Sequence, residues 1–383
     1  MHISAFWTKL PKEDMFTDLI GTDAVHEAIA AKLLPLLTGG TPDVEHYLYF
    51  LYGIKWARET ASLKGFPTDK EVQDNFLAFE NALKLNWVNE GHNGGFRGVQ
   101  KSKTIIEGIQ NREITWESLN LHTERLIKNQ AAQGLYGAHS QPARRAGLVS
   151  KDPLELSPHV LHRFKSISWH WSPSIHKNPC ARFNKLREYL IVGNRKWLKD
   201  QVFENKDFPV MKEMYSQYAR KYRTAPPWRK IALTSKSAEV REYAAFAPLF
   251  AEWFAAANNL FDALVKNESH SIELRDLKAA TKSLCLKKGI QLLDLGNYTN
   301  KMKRMLFSKG TEHIQALVEL HNQVQRDRGN PDGILVTMHK GKPKPTNLAL
   351  KYNGKPHTAK DYLFRWDALC SLRESINRRY PKW

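Results

Sequence analysis

The sequence predicts a mainly α-helical, multi-domain protein with one β-hairpin near its C-terminal end. Apolar residues recur at helical spacing through most of the chain, and its 383 residues exceed what one small core requires. Hydrophobic residues make up 42% of the chain, and 11 Trp, 13 Tyr and 17 Phe are too many for a disordered protein. We therefore expect several packed helical cores.

The net charge of +19 is unevenly distributed along the chain. Residues 1–98 contain 9 Lys and Arg against 13 Asp and Glu, whereas residues 99–383 contain 49 against 26. A domain with this excess of positive charge repels itself unless a polyanion neutralises it. The charge therefore favours a nucleic-acid partner, and the alternative is a basic surface that serves solubility alone.

Several classes of protein are disfavoured. No apolar run approaches the length of a membrane span. The first residues lack the basic start and apolar core of a signal peptide, so we expect a cytoplasmic location. Cys180, Cys285 and Cys370 stand far apart, which indicates buried free thiols rather than a disulfide framework.

Residues 1–98 are predicted to form a helical N-terminal domain. Apolar periodicity indicates helices over 24–37, 44–63 and 72–88, the second of them rich in tyrosine. A glycine-rich loop closes the domain. Backbone N–H groups beside Gly94, Gly95 and Arg97 are free to approach a phosphate, although the loop is not a P-loop and an ordinary connection is the alternative.

Residues 99–165 combine helices with two short extended segments. Helices are predicted over 101–110 and 118–130, and after Gly134 a short helix ends at Gly147. Residues 148–149 and 154–157 then have strand patterns on either side of a turn, and Pro158 begins another helix.

This order of elements over residues 115–160 resembles a winged helix-turn-helix, which defines a winged-helix-like domain at 99–165. The resemblance implies that the helix before Gly147 enters the major groove of DNA and that the hairpin forms a wing. Pro142 must then lie in the first turn of that helix. Similar elements also mediate protein contacts alone. The residues expected to face nucleic acid are Ser140, Gln141, Arg144 and Arg145, with Lys151 on the wing and His139 nearby.

A second resemblance covers scattered motifs. Phe6 to Pro11, His46 to Tyr52, Gly94 to Gly98 and Gly134 to Gly147 resemble stretches of uncharacterised bacterial proteins encoded beside anti-phage defence systems. The resemblance implies a biological context and no particular chemistry.

The remaining residues, 166–383, are predicted to form a basic helical C-terminal region. Its segment 166–230 interleaves cations with aromatic residues, a combination that holds phosphates and stacks on bases. The alternative is an aromatic core under a solvated basic face. The candidate contacts are Arg195, Lys196, Arg223 and Arg229. Residues 237–266 are predicted to form a pair of core helices that Pro248 interrupts.

A hairpin is predicted over 334–352, followed by a final helix over 361–380. Strand patterns at 334–339 and 347–352 flank a basic tip that contains Lys340, Lys342 and Lys344. Such a tip suits the phosphate groove of a nucleic acid.

Signs of catalysis are few. The chain has no HExxH, GxSxG or P-loop motif, and Asp332 lacks an acidic partner for magnesium. His159, His162, His170, His176 and Cys180 have no zinc-finger spacing. We expect no catalytic residues, no metal and no cofactor.

Together these features predict a non-catalytic nucleic-acid-binding subunit of a larger bacterial complex, with DNA favoured over RNA and a role in anti-phage defence. The acidic N-terminal domain is expected to contact a protein partner. One alternative is a protein–protein adaptor, and a second is a divergent nuclease whose active site forms only in space.

Overall fold

The computed structural model of the chain describes residues 18–38, 43–63, 65–92, 96–127, 130–150, 154–167, 188–287, 289–295, 303, 306, 312–327 and 330–377. Over these residues the chain is mainly α-helical, and its sheet is a two-stranded antiparallel hairpin near the C-terminal end. The predicted fold class is confirmed at this level. None of the described helices is long and apolar enough to cross a membrane.

The helices before residue 165 are α1 (Thr22–Leu33), α2 (Val44–Ser62), α3 (Asp69–Asn89), α4 (Val99–Gln110), α5 (Gln130–Gln133), α6 (Leu135–Arg145) and α7 (Pro158–Phe164), with a 3₁₀ turn at Trp116–Ser118. Short helices alternate with π-helical segments after residue 187: Glu188–Val192 (π), α8 (Gly193–Leu198), Lys199–Phe203 (π), α9 (Pro209–Glu213) and Met214–Tyr218 (π).

The later elements are α10 (Trp228–Thr234), α11 (Ala238–Lys266), α12 (Ser271–Leu286), α13 (Glu312–Asp327), β1 (Val336–His339), β2 (Lys342–Pro345) and α14 (Trp366–Asn377). 3₁₀ turns lie at Ile290–Leu292, Pro331–Gly333, Asn347–Lys351 and Ala359–Asp361.

The chain divides into two compact units, each built from non-contiguous segments. The α2 unit contains the described residues of Pro35–Thr224 and those from Asp367 onward. The α11 unit contains the described residues up to Leu34 and those of Ala225–Trp366.

In the α2 unit, local caps begin the helices α2 and α3, and close packing between these two helices forms part of the core. The Asp43 side chain accepts a hydrogen bond from the Glu45 N–H at the start of α2, and Thr68 with Glu71 forms a capping box on α3. A Cβ at Gly53 would lie 2.7 Å from Phe76 Cε2, so glycine permits α2 and α3 to approach each other closely. The tyrosine-rich face of α2 is buried, as its aromatic content predicts.

The α11 unit is organised around its 29-residue helix, which packs against α1, α10 and α12. Ser237 caps the N-terminus of α11, and Asn267 ends the helix in the left-handed conformation at φ 55°. Trp253 is fully buried, and its indole N–H donates to Thr281 Oγ1 of α12 over 3.0 Å. The one polar atom of this large side chain is therefore satisfied in the core.

The prediction that Pro248 divides this region into two helices is wrong, because α11 continues through it. Pro248 lies on the exposed face, whereas Ala247 and Phe250 beside it are buried. Burial of that apolar face outweighs the single backbone hydrogen bond that a proline removes.

The predicted helix over 118–130 is also wrong: residues 119–127 are not helical, and α5 begins at Gln130. The Asn81 side-chain amide donates to the carbonyl oxygens of Leu121 at 2.8 Å and Glu124 at 2.9 Å. Because a tertiary donor satisfies these acceptors, the backbone takes a turn in spite of its helical apolar pattern.

Candidate nucleic-acid interface

The turn of the hairpin consists of two residues. The antiparallel register pairs His339 with Lys342, so only Lys340 and Gly341 connect the strands. Both have positive φ values, 49° and 76°. This is the requirement of a type I′ turn, whose twist matches that of a two-stranded ribbon.

This turn corrects the predicted hairpin boundaries. Residues 347–352, predicted to be the return strand, form a 3₁₀ turn at Asn347–Lys351, and β2 contains the residues assigned to the basic tip. The physical cause is Gly341, which adopts a left-handed conformation at no steric cost and reverses the chain early.

The hairpin has one polar, solvent-exposed face. Side chains alternate between the two faces of a strand, so residues two apart point the same way. Val336 is buried and Met338 half-buried, while Pro343 and Pro345 are half-buried beside them. The exposed residues of the opposite face and the tip are Thr337, His339, Lys340, Lys342 and Lys344.

The two prolines leave the outer edge of β2 without backbone donors. The Thr346 N–H donates to Leu335 O across the ladder over 2.8 Å. Along an antiparallel strand, successive backbone N–H groups point alternately toward the paired strand and away from it. The N–H groups of Lys342 and Lys344 therefore point toward β1, and Pro343 and Pro345 occupy the positions whose N–H groups would point to the outer edge. An additional strand cannot pair normally with an edge that lacks these N–H groups.

Buried hydrogen bonds anchor the base of the hairpin within the α11 unit. The Leu335 N–H donates to Nε2 of the buried His321, so the proton of this neutral imidazole is on Nδ1, which donates to Leu19 O over 2.8 Å. Thr346 Oγ1 donates to Ile334 O over 2.8 Å. The exposed lysines therefore lie on a hairpin whose base is anchored in the core.

The charge of the hairpin is uncompensated. Lys340, Lys342 and Lys344 form no ion pair with any residue that the structure describes. Residues 333–360 contain six Lys and two His but no Asp or Glu. The result is a cationic surface that can approach an anion without first losing a partner.

Helix α6, the predicted recognition helix, begins on a buried carboxylate. The Leu135 N–H donates to Glu80 Oε1 over 2.9 Å, and Lys84 Nζ lies 2.6 Å from the same oxygen. Both charged side chains are buried. A Cβ at Gly134 would lie 2.5 Å from Glu80 Oε1, so glycine is needed for the carboxylate to reach the helix N-terminus.

Burial lowers the pKa of the Lys84 ammonium, and the neighbouring Glu80 carboxylate partly opposes that shift. A pair in this position stabilises the fold only while both partners are present, because either charge alone would be buried without compensation.

The prediction that Pro142 lies in the first turn of its helix is wrong. The Glu80 contact starts α6 at Leu135, so Pro142 is internal to the helix. The proline cannot donate to Ala138 O four residues earlier, and Thr38 Oγ1 donates to that oxygen instead over 3.0 Å. A tertiary hydrogen bond thus permits the proline.

The predicted contact residues of α6 differ in their exposure. Ser140 is buried, Gln141 and Arg144 are half-buried, and Arg145 is exposed. The Arg145 guanidinium donates to Pro35 O over 3.0 Å. The four residues are adjacent on one helix, but they do not form a continuous exposed basic face.

The segment after α6 contains the predicted helix end at Gly147 and, in place of the two predicted strands, a single β-bridge. Gly147 takes a left-handed conformation at φ 67°. Val149 and Leu156 then form an antiparallel bridge, and the Ser150 N–H donates to Glu155 O over 2.8 Å. Lys151 lies outside the described residues, and the winged-helix assignment stays a prediction.

Two histidines lie buried between α2 and α6. Burial lowers the pKa of His46 to about 3, with a smaller contribution from Lys84, and it lowers the pKa of His139 to about 3. Their ring centroids are 6.4 Å apart, and His139 Nδ1 donates to Leu135 O over 3.1 Å. Burial also raises the pKa of Tyr47 beside them. These rings belong to the core, not to a phosphate-binding surface.

The other predicted contacts are dispersed. Lys196, Arg223 and Arg229 are exposed, whereas Arg195 is half-buried and donates to Ser375 O over 3.3 Å. Of the glycine-rich loop, Arg97 is exposed, and Gly94 and Gly95 lie outside the described residues.

The described residues include no group of three His, Cys, Asp or Glu side chains that could hold a metal ion. Asp332, His159 and His162 are exposed. His170, His176 and Cys180 lie outside the described part of the chain.

No family model, no curated protein and no solved structure matches the chain. Function is therefore inferred from the chain's own residues. The sequence patterns did not indicate the Glu80–Lys84 pair or the early turn of the hairpin. The Lys340-Gly341 dipeptide was an available signal for that turn, since glycine after a flexible residue suits a left-handed turn position.

Proposed function

We propose that the protein binds nucleic acid, with duplex DNA as its preferred partner, through the cationic surface of the β1–β2 hairpin. The observation that carries the proposal is the set of three exposed lysines without acidic partners on a two-stranded ribbon anchored at its base. Lysines bind phosphates as point charges and release the counterions around the nucleic acid. This release is the main source of sequence-independent affinity.

The shape of the element supports duplex DNA over duplex RNA. The major groove of B-DNA is about 12 Å wide and admits a two-stranded β-ribbon. The major groove of A-form RNA is deep and too narrow for side chains to read.

The same element argues against one way in which an adaptor could bind a protein, the addition of a partner's strand to the hairpin. A protein partner that adds a strand to a sheet needs backbone donors on the exposed edge. Pro343 and Pro345 remove them from β2. The resemblance to proteins of anti-phage defence loci supports a bacterial defence complex as the setting in which the protein acts as a non-catalytic subunit.

The test is binding to duplex DNA, single-stranded DNA and duplex RNA over a series of salt concentrations. In the hairpin variant Lys340, Lys342 and Lys344 are replaced by Gln. We expect the duplex-DNA affinity to fall about ten-fold or more, and the slope of log affinity against log salt to decrease by about one per lysine.

Two further variants make the result interpretable. The charge-matched control also replaces three lysines by Gln, but these lysines lie outside the hairpin. They are exposed and form no ion pair with a described residue: Lys206, Lys212 and Lys278. The other is Arg144→Gln/Arg145→Gln on α6. Equal losses in the hairpin variant and the control would indicate general charge and favour the adaptor, whereas a loss confined to the α6 variant would identify α6 as the DNA-binding element.

A further inference from the structure

The exposed face of the β1–β2 hairpin carries two polar side chains that are not lysines, and both are on β1. Thr337 lies opposite Lys344, and His339 lies opposite Lys342. Lys340 follows His339 at the start of the turn. His339 therefore lies between the three lysines: one is directly opposite, one is next along the chain, and one is diagonally across the ribbon.

The His339 side chain has no role in holding the hairpin together. It is exposed and forms no hydrogen bond, ion pair or ring contact with any residue that the structure describes. Thr337 differs, because its Oγ1 donates to Lys344 O over 3.4 Å and a β-branched residue suits a strand. Lys342 offers the imidazole neither an opposite charge nor an apolar surface across the strands. The polar atoms of His339 are therefore available to a ligand.

The lengths of the side chains assign them to different parts of a DNA groove. A lysine ammonium lies at the end of a flexible four-carbon stem, so Lys340, Lys342 and Lys344 can extend to phosphates along the groove edges. The imidazole of His339 is attached by one methylene and stays close to its strand. The paired strands are about 4.8 Å apart, well within a major groove of about 12 Å. The short side chain between the lysines then faces the base edges.

The chemistry of the imidazole indicates which base it would contact. A neutral imidazole donates one hydrogen bond, and a protonated imidazole donates two. In the major groove guanine presents two acceptors, N7 and O6, whereas adenine presents one acceptor beside a donor. Cytosine presents a donor at the same edge. A donating side chain at the floor of the groove is therefore matched best by guanine.

We propose that His339 contacts a guanine base edge and gives the hairpin a preference for duplex DNA with guanine at one position. The three lysines bind phosphates whatever the sequence, because phosphate contacts fix position and affinity while base contacts carry the sequence information. This inference rests on the proposed function, since it assigns a role within the same DNA-binding surface.

The test is selection of bound duplexes from a pool with a randomised central segment, using the full-length protein. Affinities are then measured for the preferred duplex and for the same duplex with its guanine–cytosine pair replaced by adenine–thymine. We expect the wild type to bind the guanine duplex about five-fold or more tightly, and His339→Ala to bind the two duplexes equally. Thermal unfolding of the variant checks that it is folded.

Lys342→Gln is the matched control, because Lys342 lies directly opposite His339 on the same face. It should weaken binding of both duplexes by the same factor and keep the guanine preference. Loss of the preference in His339→Ala alone supports the inference.

Two kinds of failure are distinguishable. A wild type that binds duplex DNA without a guanine preference, or a preference that persists in His339→Ala, overturns the role of His339 and leaves the proposed function intact. A wild type that binds no duplex overturns the proposed function, and the role of His339 with it.

Discussion

Helix α6 and the β1–β2 hairpin both carry clustered basic residues, but α6 is built into a core and the hairpin projects its cations into solvent. The N-terminus of α6 binds a buried carboxylate, and Ser140 on its predicted contact face is buried. The hairpin buries its apolar and proline side and exposes Lys340, Lys342 and Lys344. The α6 cations are partly engaged by their own fold, since Arg144 is half-buried and Arg145 donates to Pro35 O. The difference teaches that the surroundings of a cation, and not its presence in a basic cluster, decide how freely it can meet a phosphate.

The largest loss of folding stability is expected when the buried Glu80–Lys84 pair at the N-terminus of α6 is broken. Glu80→Ala leaves Lys84 buried without its partner and removes the acceptor of the Leu135 N–H. We expect the free energy of unfolding to fall by about 3–5 kcal/mol, measured by urea denaturation. Glu107→Ala, an exposed glutamate on α4, should change it by less than about 0.5 kcal/mol. A loss in Glu80→Ala no larger than in this control would show that the buried pair does not anchor α6.

The second prediction concerns the pH dependence of the free energy of unfolding, which the buried His139 should cause. His139 has a pKa of about 3 in the folded protein against an ordinary value of 6.5, so the unfolded chain binds protons more readily between these pH values. The stabilising contribution of the neutral ring is complete above pH 6.5 and is lost as pH falls towards 3. At pH 5 the loss is about 2 kcal/mol for one such histidine.

The measurement is urea denaturation at pH 7 and pH 5. His139→Gln cannot titrate, so its stability should fall less between the two pH values than that of the wild type. His159→Gln replaces an exposed histidine and should retain the wild-type pH dependence. A pH dependence that is the same in all three proteins would contradict burial of His139 as its cause.

The smallest effect concerns the hairpin turn. Gly341→Ala places a Cβ at a φ of 76°, which costs about 1–2 kcal/mol in a left-handed conformation even though no atom lies nearby. Gly193→Ala, in α8 and also without neighbours, has no such strain and should be neutral or slightly stabilising. Thermal unfolding of the two variants measures the difference: Gly341→Ala should unfold at a lower temperature than the wild type, and Gly193→Ala should not. Equal stability would mean that the turn does not require positive φ.

Much of the fold could be predicted because its signals are local. Apolar spacing indicated α2, α3 and α11. The side chains that cap these helices, Asp43, Thr68 and Ser237, each accept a hydrogen bond from a backbone N–H no more than three residues away. The candidate site was predictable only in part. Lys340, Lys342 and Lys344 were identified from their composition, but their common exposed face depends on a register that Gly341 sets.

The sequence by itself determined the helical class, the basic charge and the residues that end many elements, because propensity, capping and turn chemistry act over a few residues. Only the tertiary structure decided where α6 begins and which of its side chains are covered. The Glu80 carboxylate reaches Leu135 across 55 residues, and Thr38 satisfies the carbonyl that Pro142 leaves free across 100 residues. No periodicity encodes such contacts, since they form only after the helices that carry them have packed.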